Sequence, residues 1–182
     1  MFSKLTGAAP LPLKKLELTN LPITPDTVSS SIRHLQKLEL LGLKSDHHYL
    51  TLGSICNLLQ RNGITLTGIA TNEVKDYVLL SYLASNPGFK TIRFEFKGEW
   101  RYHRDWVRFL HHFYSDILPV QRETLEDLQL QISDTREISE FPLDDQIDAL
   151  SGCKRLRALG ISCAVQRQEF EQDDTSIAVR KL

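Results

Sequence analysis

At 182 residues the chain is long enough for one domain that buries roughly two-thirds of its unfolded surface. Its 22 basic and 23 acidic side chains leave a net charge of -1, which gives no electrostatic ground for nucleic acid or an anionic membrane as the main partner. Leucine is the exception in an otherwise ordinary composition: 29 residues, about one in six, which points to repeats.

In chain order, residues 1–12 read as a flexible N-terminal segment, with no apolar core of signal-peptide length after Met1-Phe2-Ser3-Lys4-Leu5. Leu13-Lys14-Lys15-Leu16-Glu17-Leu18 is the first L-x-x-L-x-L copy, and its alternation marks a half-buried strand. Thr24-Pro25-Asp26 opens a helix, with a capping hydroxyl, a proline at the first helical position and an acid in the first turn. The second copy is Leu35-Gln36-Lys37-Leu38-Glu39-Leu40. Tyr49, Leu52, Ile55, Cys56 and Leu59 follow helical steps up to the Asn62-Gly63 stop. A weaker copy, Leu66-Thr67-Gly68-Ile69-Ala70-Thr71, precedes a helix through Val74, Tyr77, Val78, Ser81 and Tyr82, broken by Asn86-Pro87-Gly88.

Phe89-Lys90-Thr91-Ile92-Arg93-Phe94 is the fourth copy, with aromatic substitutions. The widest apolar stripe follows, through Trp106, Phe109, Leu110, Phe113, Tyr114, Ile117 and Leu118, and is expected to end near Pro119. Leu125-Glu126-Asp127-Leu128-Gln129-Leu130 is the fifth copy, Asp144 to Leu150 a short helix, and Cys153-Lys154-Arg155-Leu156-Arg157-Ala158 a weak sixth copy. Copies thus start at 13, 35, 66, 89, 125 and 153. Residues 166–182 read as a polar C-terminal tail.

Strand and helix alternating in this way imply a mainly parallel α/β sheet with crossover helices. The recurring leucines favour a curved leucine-rich-repeat-like solenoid over residues 13–165, its strands stacked in chain order and its helices on the convex side. A doubly wound sheet with reordered strands is the alternative, and with it a small α/β enzyme. Intervals of 31 and 36 residues exceed the usual repeat length, and Leu21, Leu43 and Ser133 stand where a standard repeat has asparagine.

The first two copies, the Leu80-Ser81-Tyr82-Leu83 to Pro87-Gly88-Phe89-Lys90 segment, the aromatic helix into Ile117-Leu118-Pro119, Glu123-Thr124-Leu125-Glu126-Asp127-Leu128 and Cys153-Lys154-Arg155-Leu156 together resemble the leucine-rich-repeat region of fungal F-box proteins. The resemblance spans about Leu13 to Ser162. It implies a non-catalytic protein-recognition module, the substrate-recruiting part of an F-box-like ubiquitin-ligase adaptor. The chain departs from that family in the F-box itself, for which the 12 residues ahead of the first copy are too few.

With the leucines inward, the outward set is Lys15, Glu17, Thr19; Lys37, Glu39, Leu41; Thr91, Arg93, Glu95; Asp127, Gln129, Gln131; and Arg155, Arg157, Leu159. This face is read as charge-striped, with Lys15 beside Lys37 and Glu17 beside Glu39. The alternative is a plain solvated sheet face. Arginines 93, 155 and 157 are favoured for partner contact. Outward Leu41 and Leu159 are either anchors or a sign that the register is different. Trp100 and Tyr102, in the long excursion before the aromatic helix, are read either as contact rings or as a cap on the core.

Chemistry-bearing motifs are few. His34, His47, His48, His103, His111 and His112 form no H-E-x-x-H, and Cys56, Cys153 and Cys163 no C-x-x-C, so neither a metal nor a cofactor is expected. There is no G-x-G-x-x-G, P-loop or G-x-S-x-G, and Asp144-Asp145 stands at a helix start where the backbone dipole favours it. Three sparse cysteines suit a reduced, intracellular setting, cytoplasmic or nuclear.

Overall fold

A computed structural model describes residues 13–21, 23–45, 52–72, 74–96, 103–132 and 144–161. The readings made for Tyr49, His47, His48, Trp100, Tyr102, Cys163 and the segments 1–12 and 166–182 lie outside these residues, as does the side chain of Trp106.

Among the described residues the sequence alternation becomes six strands: β1 (Lys15–Thr19), β2 (Leu40–Lys44), β3 (Gly68–Thr71), β4 (Thr91–Phe96), β5 (Asp127–Ile132) and β6 (Ala158–Ile161). Between them lie α1 (Pro25–Ser29), α2 (Leu52–Arg61), α3 (Tyr77–Ser85), α4 (His103–His112), α5 (Leu118–Gln121) and α6 (Asp144–Ser151). All six strands form one parallel sheet in the order β1-β2-β3-β4-β5-β6. The reordering of a doubly wound sheet does not occur. Right-handed crossovers between strands laid down in one direction put every helix on the same side. The helices accordingly pack in succession: α1 on α2, α2 on α3, and α5 on α3 and α6.

One backbone device repeats at all five strand junctions. The carbonyl of Lys14 accepts from the amides of Glu39 and Leu40, that of Glu39 from Thr67 and Gly68, and that of Thr67 from Lys90 and Thr91. Lys90 then accepts from Glu126 and Asp127, and Glu126 from Arg157 and Ala158. Each strand therefore starts level with its predecessor.

These brackets correct two copies of the repeat. Leu16 and Leu18 pair with Leu41 and Leu43, not with Leu38 and Leu40. The second copy in space is Leu38-Glu39-Leu40-Leu41-Gly42-Leu43, three residues later than the sequence reading. Likewise Leu128 and Leu130 pair with Leu159 and Ile161, so the sixth copy begins at Leu156 and not at Cys153. The inner rows explain the choice: with Leu41 inward the strand buries both Leu41 and Leu43, leaving Lys44 in solvent. Lys15 therefore sits beside Leu40 and Glu17 beside Gly42, and the expected like-charge neighbours are not formed.

The sheet is not curled. A solenoid curves when one small rotation repeats at every unit. Here the helices between strands range from four residues in α5 to ten in α2 and α4, so no single rotation recurs.

The stripe expected to end at Pro119 runs two residues further. Phe113–Ile117 form a π-helical turn, in which the Leu118 amide donates to the Phe113 carbonyl. The ordinary i→i−4 ladder is thus already displaced where Pro119 has no amide to give, and α5 continues to Gln121. Phe94, Phe96, Phe109 and Phe113 meet under β4, mostly edge to face, with centroids 5.0–6.4 Å apart. Leucines fill the core elsewhere.

Candidate functional site

Helices cover one side of the sheet, so the other side is where strand side chains meet solvent. Its first row crosses the strands as Lys15, Leu40, Gly68, Thr91, Asp127 and Ala158. The second row is Glu17, Gly42, Ala70, Arg93, Gln129 and Gly160. Further along the strands stand Thr19, Lys44, Glu95 and Gln131.

The small residues of these rows shape the surface. Glu17 leans onto Gly42, where an added Cβ would lie 2.8 Å from its Cγ. Gln129 lies across Gly160 in the same way, and Leu40 across Gly68. Ala70 floors a trough of about 270 Å³ bounded by Glu17, Lys44, Arg93, Glu95, Gln129 and Gln131. Lys44 reaches over β3 to Glu95, with Nζ to Oε2 at 2.6 Å. Arg93 grips Asp127 Oδ2 through Nε at 3.0 Å and Nη2 at 2.6 Å. Gln129 donates to the other oxygen of Asp127 at 2.9 Å. Lys15 pairs with Glu17 on the same strand at 3.1 Å.

The expected charge stripe is therefore a set of matched pairs, which cancels long-range steering and leaves a face suited to short-range hydrogen bonding. Each exposed pair is worth roughly 0.2–1 kcal/mol to the fold, so the set can exchange partners at low cost.

Of the residues expected here, Glu17, Arg93, Glu95, Asp127 and Gln129 come together, with Lys15 at the margin. Lys37 stands in the turn before β2, and Glu39 immediately ahead of that strand, paired with Lys14 at 2.9 Å. Arg155 and Arg157 precede β6 instead of lying on it. Leu41 is no anchor: it is 3% exposed in the inner row. Leu159 also belongs to the inner row, and is half exposed on β6, the last strand among the described residues. Lys44 and Ala70 were missed. The overlapping L-x-x-L-x-L at 38, 41 and 43 was the signal that placed Lys44 on this face.

Burial, and then the charge of Asp76, pushes the Cys56 thiol well above its ordinary range, and burial raises Cys153 too, so both stay protonated at neutral pH. Both are free and buried. No cluster of three or more His, Cys, Asp or Glu side chains suited to a metal occurs among the described residues. His34 is buried and its Nε2 accepts from Arg33 Nε at 3.0 Å; His112 Nδ1 pairs with Asp116. An apolar void of about 20 Å³ between β1, β2 and α1 is the size of a single water. No helix among the described residues is long and apolar enough to cross a membrane. In comparisons with known proteins, no family model, no curated protein and no solved structure matches this chain.

Proposed function

We propose that the chain is a non-catalytic protein-recognition module, an uncurled leucine-rich-repeat-like stack of parallel strands that docks a protein partner on its open sheet face. The single observation that carries this reading is the coincidence of two features: strands stacked strictly in chain order, and an uncovered face bearing the Lys44, Glu95, Arg93, Asp127 and Gln129 network. Sequential order leaves no reversal point at which an α/β sheet opens a crevice for substrate. Arg93 is held through two nitrogens by one oxygen of Asp127, and arginine is enriched where interfaces concentrate their energy.

The role of substrate recruiter in an F-box-like ubiquitin-ligase adaptor rests on the sequence resemblance alone. It would place the module in the cytoplasm or nucleus, where its cysteines stay reduced. Quantitative co-purification from a native lysate tests the face. Arg93→Glu with Lys44→Glu should lower recovery of a specific partner at least tenfold, while Val78→Ser on the helical side leaves recovery unchanged. Equal recovery with all three proteins, or equal loss from both kinds of change, would overturn the assignment to this face.

A further inference from the structure

The two ion pairs that link different strands on the open face are built alike. In each the acid lies low and the base rides above it: the Glu95 and Asp127 side chains are 21% and 17% exposed, those of Lys44 and Arg93 45% and 48%. The pairs are neutral, but the groups they turn to solvent are mainly cationic.

The hydrogen-bond inventory points the same way. Arg93 gives Nε and Nη2 to one oxygen of Asp127, and Nη1 forms no bond among the described residues. A guanidinium has five N–H groups, so most of them remain for another acceptor. Lys44 gives one of its three ammonium protons to Glu95. Asp127, by contrast, has both oxygens engaged, one by Arg93 and one by Gln129. Lys44 and Arg93 line the same trough, and Ala70 and its neighbour Gly42 raise no more than a methyl group from its floor. A concavity with charged donors to spare and its acids engaged selects an anion. Glu17 and Glu95 also line the trough, so one negative charge suits it, whereas a phosphate dianion would meet two carboxylates at once. Glu17 is itself paired with Lys15.

We propose that the trough over Ala70 takes one carboxylate side chain of an acidic partner segment, gripped by the Lys44 ammonium and by the Arg93 hydrogens that Asp127 leaves unused. This rests on the sheet face being the docking surface, and adds the chemistry of what docks there. An NMR titration of the full chain with the capped tripeptide acetyl-Ala-Glu-Ala-amide tests it, read at the Gly42 and Ala70 amides and the Arg93 Nε–H. These signals should shift saturably, and exchanging the peptide's Glu for Gln, Lys or phosphoserine should weaken binding by about fivefold or more. Lys44→Gln and Arg93→Gln should each weaken the Glu peptide to a similar degree, Glu17→Gln should tighten it, and Val78→Ser should leave it unchanged. Absence of a saturable shift, equal or tighter binding of another peptide, binding unmoved by Lys44→Gln and Arg93→Gln, or weakening by Glu17→Gln would each overturn the proposal. If co-purification still drops with Lys44→Glu and Arg93→Glu in that event, the docking face stands without an acidic occupant. If co-purification is unmoved as well, the face falls with it.

Discussion

Asp76 joins two helices through one carboxylate. Its Oδ1 accepts from the Val78 and Leu79 amides at 2.9 and 3.2 Å, capping α3, while Oδ2 accepts from the Gly53 amide at 2.8 Å in the first turn of α2. The helices come so close here that a Cβ on Gly53 would meet Leu79 N at 2.3 Å and Val78 C at 2.6 Å. Removing the carboxylate deprives buried amides of their acceptor, so Asp76→Ala should cost about 2–4 kcal/mol in urea unfolding. Tyr114 is the opposite case. Its hydroxyl is buried without a partner, and Tyr114→Phe should be neutral or stabilise the fold by about 1 kcal/mol in the same assay. Burial also pushes the Tyr82 and Tyr114 phenols up to about 12. The unfolded chain gives up these protons first, from about pH 10. Stability is therefore undiminished by them below about pH 10 and falls as pH rises through about 12. The urea midpoint measured against pH should show that decline, and Tyr82→Phe with Tyr114→Phe should flatten it.

At the scale of the element, β2 decides the register. Leu41 fills the inner row and Leu40 only leans over Gly68 on the outer face. Leu41→Ala should therefore cost about 2–5 kcal/mol and Leu40→Thr under about 1 kcal/mol. The register read first from the sequence, with Leu40 inward, requires the reverse order. Leucines at 35, 38, 40, 41 and 43 satisfy the same pattern in two overlapping ways. Local alternation cannot choose between them, because the choice depends on which pair lies beside Leu16 and Leu18 across the sheet. The sixth copy failed for the same reason, Leu156 serving equally as the second leucine of one frame and the first of the next. Copies with one possible frame, at 66, 89 and 125, lie where they were read. The helix past Pro119 was not legible either, since a π turn leaves no compositional mark. Matching partners such as Lys44 with Glu95, 51 positions apart, follow only once strand order is known.

For the whole molecule, the weight falls on the stacking of six strands by one repeated bracket. A reordered sheet would need the carbonyls of Lys14, Glu39, Thr67, Lys90 and Glu126 to find other amides, and the outer rows would no longer assemble the Lys44 to Gln129 network. Scalar couplings across hydrogen bonds, measured by NMR on the full chain, report each of these partners directly. Each of the five carbonyls should couple to an amide at the start of the following strand: Leu40, Gly68, Thr91, Asp127 and Ala158 in turn. Couplings from any of those carbonyls to a strand out of sequence, or to an amide three residues away in the same strand, would contradict it.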